Sequence, residues 1–201
     1  RLLYLAKWLR HPQAAANEFN HPLGRTLVAM VPLSYLQAVV YFGSPGDGWA
    51  LAVAQLADTL RSVHGQAVQV DVVTQNVDNL HERAGSSSVI HLHGSLFAPR
   101  CAACDRPGEF APGVPDQTLT HLEPPECQHC GGYIRPGVVW FGEAMPQKEF
   151  RLAEDLVDTC DAMLVVGTSG VVWPAAELPI SAHRLDKFVA EINPAPSELA
   201  K

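Results

Sequence analysis

Apolar positions along this chain follow two kinds of spacing, the three- and four-residue recurrence of helices and the short β-branched runs of buried strands. Asp47 is placed to cap a helix in which Leu51, Val53, Ala54, Leu56, Ala57 and Leu60 recur at helical spacing, ending near His64 and Gly65. Residues 68–74 are β-branched and only partly alternating, as in a strand buried on both faces. Residues 89–94 predict another short strand, residues 138–142 an extended apolar segment, and residues 147–159 a helix through Phe150, Leu152, Ala153, Leu156 and Val157. A buried strand at 163–167, a helix at 175–185 and a last strand at 187–193 complete the pattern. Strands that alternate with helices predict an α/β fold, a parallel sheet covered on both sides. Before residue 45 the patterning is weak: a short helix over 2–9, a stretch punctuated by Pro12, Pro22, Pro32 and Pro45, and a helical fragment over 34–41.

Between those strands the pattern gives way to Pro, Gly and Cys. Cys101/Cys104 and Cys127/Cys130 form two Cys-x-x-Cys pairs separated by 22 residues, the spacing of one structural zinc site. A two-residue gap lets a tight turn aim both sulfurs at one ion, and four thiolates leave no open position for water, so the metal is structural. A redox pair or two disulfides are the competing readings, and the acidic, cysteine-poor composition argues against the secreted setting that disulfides need. Cys160 sits in an apolar-periodic stretch, as a buried small hydrophobe does.

Composition narrows the partners. The chain has 201 residues and a formal net charge of −7, with no run of Lys or Arg to attract nucleic-acid phosphates. Hydrophobic residues make up 47% and charged residues 17%, a globular balance, and no stretch approaches the roughly 20 apolar residues that span a bilayer. Neither nucleic acid nor membrane is expected as a partner. Reduced cysteines and the lack of an export-like segment point to the cytoplasm.

Ligands of doubly wound sheets bind beyond the carboxyl ends of the strands, and three polar clusters fall there. Residues 74–81, Thr-Gln-Asn-Val-Asp-Asn-Leu-His, offer side chains for ribose hydroxyls and a carboxamide, or build an Asx turn and helix cap. Gly167-Thr168-Ser169-Gly170 offers small residues, amides and hydroxyls suited to a phosphate or ribose, although such turns are common. His91-Leu92-His93-Gly94 would set both imidazoles on one strand face, as bases or as hydrogen-bonded structural groups.

Together, Thr74 to His81, Glu82-Arg-Ala-Gly85, Ile90-His-Leu-His-Gly94, the paired cysteines, Arg135-Pro-Gly-Val-Val-Trp-Phe-Gly-Glu143, Gly167-Thr-Ser169 and Glu191-Ile-Asn193 resemble the sirtuins, NAD-dependent protein deacylases, most closely the bacterial type. The resemblance runs from Trp49 to Asn193. It implies a Rossmann-like domain carrying a small zinc-ribbon domain, with the large domain formed by residues 1–99 and 136–201 and the small one by residues 100–135. Segment 1–45 is the least assigned and is open to small-domain helices. NAD and an acyl-lysine protein or peptide would meet in the cleft between the domains. His93 matches the general base, which draws a proton through the nicotinamide ribose after the acyl oxygen has displaced nicotinamide; an imidazole, with an unperturbed pKa near 6.5, suits that task. Gln75 and Asn76 match residues around the nicotinamide ribose and the catalytic water, and Asp78 one that holds the carboxamide. Gly167, Thr168, Ser169 and Asn193 match the phosphate and adenosine-ribose contacts. Val139, Trp140, Phe141, Gly142 and Glu143 match the edge that pairs with the substrate backbone and lines the acyl-lysine tunnel. His91 matches a structural position.

The sequence departs from the family at its opening segments, and the family's final helix after Pro194 is also not in it. The opening strand, the Gly-Ala-Gly-x-Ser pyrophosphate loop and the Pro-x-Phe-Arg segment are not in it, and Glu18 to Pro22 matches only a helical segment beyond them. The expectation is that residues 1–45 follow a start lying beyond the sequence given, or else that the chain is a shortened relative whose sheet lacks its first strand. A Tyr-x-x-Arg that would read an acidic acyl group has no match, since Tyr35 precedes Ala38 and Tyr4 precedes Lys7, so acetyl-like groups are favoured. A mono-ADP-ribosyltransferase on the same scaffold and a non-catalytic binding module are the alternatives to a deacylase.

Overall fold

The structure, a computed structural model, describes residues 3–4, 36–42, 47–64, 68–110, 123–193 and 197–200. Its main sheet has six strands in the order β1-β8-β7-β2-β3-β4, every neighbouring pair parallel. The strands are β1 (Leu3–Tyr4), β2 (Leu36–Phe42), β3 (Val68–Thr74), β4 (Val89–His91), β7 (Ala162–Val166) and β8 (Phe188–Ile192). Helices α1 (Asp47–His64), α2 (Leu80–Arg83), α3 (Gln147–Thr159) and α4 (Glu177–Arg184) lie between strands in sequence. A second sheet pairs β5 (Gly94–Cys101) with β6 (Ile134–Val138), antiparallel.

The apolar pattern explains the packing. In β3 every residue but Gln69 is buried. Val68, Val70 and Val72 pack on one face with Val53, Leu56, Ala57 and Leu60 of α1, together with Val166 and Ile192. Val73 turns to the other face, where Met163, Val165 and Val189 meet Ala153 and Val157 of α3 and Leu178 and Ala182 of α4. Alternation along β3, β7 and β8 therefore feeds two cores from one sheet. Cys160 is fully buried in the second core, where burial pushes its thiol up, in line with a hydrophobic filler.

Two expectations fail near the N-terminus. The helical fragment predicted over 34–41 is instead β2, which occupies the centre of the sheet, registered on β3 from Leu36↔Val68 to Phe42↔Thr74 and on β7. A seven-residue apolar run suits either structure, and two waiting strand edges decide for a strand. The sheet is thus not short of a central strand. Leu3–Tyr4 is likewise strand, not helix, pairing with Ala190 and Glu191 of β8; the rest of the predicted 2–9 helix, the proline-punctuated stretch to residue 35, Pro45 and Glu18 to Pro22 lie outside the described residues. No helix among the described residues is long and apolar enough to cross a membrane.

The small sheet depends on close backbone approach. A Cβ on Gly94 would sit 2.0 Å from the Gly137 carbonyl oxygen, and one on Gly137 would sit 1.9 Å from that of Ala98. Only glycine fits at either place, so the hairpin packs tightly directly after His93.

Candidate functional site

The two Cys-x-x-Cys pairs form two turns of the same design. In each, the first cysteine's amide donates to a carbonyl five residues on, Cys101 to Arg106 and Cys127 to Gly132. Its carbonyl accepts from the residue four on, Asp105 and Gly131, both of which have positive φ (58° and 72°). The four sulfurs lie within 4.8 Å of one another, with Cys101 Sγ 3.5 Å from Cys130 Sγ and Cys104 Sγ 3.8 Å from Cys127 Sγ. A tetrahedron with zinc–sulfur bonds of about 2.3 Å has edges of about 3.8 Å, so the set fits one zinc ion. Electrostatics agree. Amides directed at Cys101, that of Cys104 foremost, pull its thiol down to about 6. At Cys130 the Gly132 amide lowers the thiol, but the Cys104 and Cys101 sulfurs outweigh it and push the group up to about 12. Four thiolates crowded together thus resist full ionisation until a dication sits among them.

Above this module the ends of β3 and β4 hold two histidines. The expected strand over 89–94 stops at His91; Leu92 and His93 form a turn and Gly94 opens β5. Leu92 drives the break: its side chain is fully buried in the second core and its amide donates 2.9 Å to the Thr74 carbonyl. Successive carbonyls then anchor the two rings, His93 Nδ1 donating to Gln75 O at 3.1 Å and His91 Nδ1 to Asn76 O at 2.9 Å. A carbonyl only accepts, so each Nδ1 carries the proton. His93 is left with an Nε2 lone pair, whereas His91 Nε2 lies 2.7 Å from the Glu82 carboxylate. The two rings therefore do not share one site.

His93 lines a 720 Å³ cavity with Gln75, Val77, residues 138–143, Met145, Val172 and Trp173. His91 lines an 830 Å³ cavity on the side of α3. The 720 Å³ cavity brings together seven of the predicted site residues: Gln75, His93, Val139, Trp140, Phe141, Gly142 and Glu143. Asn76, Asp78, Gly167, Thr168, Ser169 and Asn193 do not line it. Of these, Thr168 and Asn193 connect to it through hydrogen bonds: Gln75 Nε2 donates to Thr168 Oγ1 at 3.3 Å, and Asn193 Nδ2 donates to the Thr168 carbonyl at 2.7 Å and to the buried Glu191. The Asp78 carboxylate accepts from the Leu80 amide at 3.0 Å, as in an Asx turn. Sequence reasoning missed Val77, Val138, Met145, Val172 and Trp173. Val171-Val172-Trp173, an apolar run straight after the Gly170 turn, carried the signal, and all three side chains are exposed.

The segment expected to be extended over 138–142 is extended only at its start. β6 ends at Val138, and residues 141–143 turn, with Gly142 at φ 88° and the Glu143 amide donating to Trp140 O. The Val139 amide donates to His93 O at 2.9 Å, which ties this segment to the histidine turn.

The small sheet carries a cluster of four cysteines, and His93 and Gln75 line one cavity beside the end of β3. The Sir2 family profile matches residues 49–174. The chain belongs to the Sir2 family. A curated relative from Corynebacterium glutamicum, named NAD-dependent protein deacylase, is 47% identical over 152 residues, 76% of this chain and 56% of the relative. The chain thus spans little more than half the length of the curated relatives it matches. Among solved structures, a Sir2 homologue in complex with NAD is 30% identical with a TM-score of 0.66, covering 90% of this chain and 85% of that one. A Sir2 protein bound to a propionylated peptide is 26% identical with a TM-score of 0.69, covering 90% and 89%. This sirtuin therefore has the family's Rossmann-like α/β fold, with four cysteines set to hold zinc.

Proposed function

We propose that the protein carrying this chain is an NAD-dependent protein lysine deacylase that transfers the acyl group to ADP-ribose and releases nicotinamide. The single observation that carries this reading is the His93 ring. The Gln75 carbonyl holds its Nδ1 proton, so Nε2 presents a lone pair to the cavity walled by residues 138–143.

In this reading NAD lies along the carboxyl ends of β3, β7 and β8. Thr168, Ser169 and Asn193 face its adenosine and phosphates, while Gln75, Asn76 and Asp78 face its nicotinamide end. Asn193 spends both Nδ2 protons on Glu191 and Thr168, which leaves Oδ1 to accept from a ribose hydroxyl. The acyl-lysine peptide lies along Val139 to Glu143, where the Val139 carbonyl and the Phe141 amide have no partner among the described residues. A peptide strand added there would satisfy both. Trp140, Phe141 and Trp173, 59%, 110% and 61% exposed, would then be covered by the peptide and its acyl-lysine stem. His93 takes the ribose proton relayed as that hydroxyl attacks the acyl carbon. Zinc takes no part in the chemistry; it holds residues 100–135 as a small domain against the large one formed by residues 1–99 and 136–201. Free cysteines gathered for a metal favour a reducing compartment such as the cytoplasm.

Incubating the full-length protein with NAD and an acetyl-lysine peptide should release nicotinamide and form O-acetyl-ADP-ribose. His93→Ala should cut kcat by about 10²–10⁴-fold while zinc content and circular dichroism stay unchanged. Turnover at the wild-type rate in His93→Ala would refute the mechanism.

A further inference from the structure

Glu143 sits in the segment that the deacylase reading assigns to the peptide, yet its carboxylate is engaged elsewhere. Oε1 accepts from Arg135 Nη2 at 2.6 Å. Oε2 accepts from the Trp140 amide at 3.1 Å and from Arg100 Nη2 at 3.4 Å. These donors, the Trp140 amide first and then Arg135, hold the Glu143 carboxyl below the usual carboxylate range. Arg135 also donates from Nη1 to the Val138 carbonyl at 2.9 Å and lies 5.8 Å from the centre of the Trp140 ring. Arg100 reaches the other way, donating from Nη1 to Asp105 at 2.6 Å.

Each member of this chain of contacts has a fixed place. Asp105 is the positive-φ residue of the first cysteine turn, and Arg100 immediately precedes Cys101 at the end of β5. Arg135 lies opposite Arg100 in the β5–β6 register. The network therefore runs from a cysteine turn, across both strands of the small sheet, to the backbone at Val138 and Trp140. Those two residues flank Val139, whose amide is bonded to His93 O. As isolated surface ion pairs such contacts contribute little to stability. Their joint geometry constrains the one short segment that carries the free carbonyl and amide of the peptide edge.

We propose that Glu143 is a positioning residue, coupling the cysteine module to the peptide edge through Arg100 and Arg135. It touches no reacting atom; it sets the turn over residues 140–143 so that the edge is straight before a peptide arrives. The proposal rests on the deacylase reading above.

Steady-state kinetics of the full-length protein test it, with zinc content measured on every variant. Glu143→Ala should raise the peptide KM about tenfold, with kcat and the KM for NAD unchanged within about twofold. Glu143→Gln keeps an acceptor for the Trp140 amide but not the charge, and should raise the peptide KM about threefold. Arg100→Ala should raise it about threefold alone and not at all in a Glu143→Ala background, because the two act as one unit. Zinc should stay at the wild-type level, and Glu143→Gln carries the test if the alanine variant loses metal. An unchanged peptide KM, a fall in kcat at constant KM, or full additivity with Arg100→Ala would overturn the proposal. In each of those cases the wild type still turns over; a wild type that releases no nicotinamide would instead sink the deacylase reading itself.

Discussion

The two sheets of this protein are stabilised by different physics. The parallel sheet is flanked by two apolar cores built from α1 on one face and α3 and α4 on the other. Among the described residues the β5–β6 module has almost no core: Cys101, Cys127 and Ile134 are its buried cluster, with Cys104 partly buried beside them. Most of that cluster is metal-ligand sulfur. The large sheet folds because burial outweighs chain entropy; the small module, with so little apolar area, needs the ion. In the proposed reading the site lies where the two meet, so its integrity depends on the smaller part.

Removing a zinc ligand should separate the two most sharply. Cys101→Ala, or a strong chelator, should release the metal, unfold the module and abolish peptide binding, while far-UV circular dichroism retains the helices of the large sheet. Coincident loss of both parts would show that they fold as one unit. The opposite perturbation is milder. Leu178→Ala, at a fully buried site of the second core, should cost about 2–5 kcal/mol in chemical denaturation and leave zinc content unchanged.

The smallest effect concerns pH. His81 is 1% exposed, and burial holds its imidazole below the ordinary value of 6.5, helped by His91 and opposed by Asp78 and Glu82. A base depressed on folding binds fewer protons in the folded state than in the unfolded one. Its contribution is complete above pH 6.5 and declines as pH falls toward the folded value. Stability of the large sheet should therefore drop on acidification below 6.5, and His81→Gln should flatten that slope. An unchanged slope would place its origin in other groups.

Much of this arrangement was legible in the residues because the relevant signals were local. The helix over 147–159 and the strand over 68–74 end where their apolar periodicity ends. The cysteine turns were readable for the same reason: two residues between thiols leave few ways to bring four sulfurs together. His93 was legible only through its resemblance to a family. As a pattern, His91 and His93 were equivalent, and what separates them is which carbonyl anchors each ring and what lies beyond.

Spacing and composition alone dictated the alternating α/β plan and the metal-binding thiols, since the periodicity of each element and the turn of each Cys-x-x-Cys pair depend on near neighbours in the chain. The tertiary structure alone placed Leu36–Phe42 at the centre of the sheet, parted the two histidines and turned Glu143 toward Arg100 and Arg135. Each of these depends on partners tens of residues away or on the turn a segment takes, and neither is written into the local alternation of apolar and polar positions.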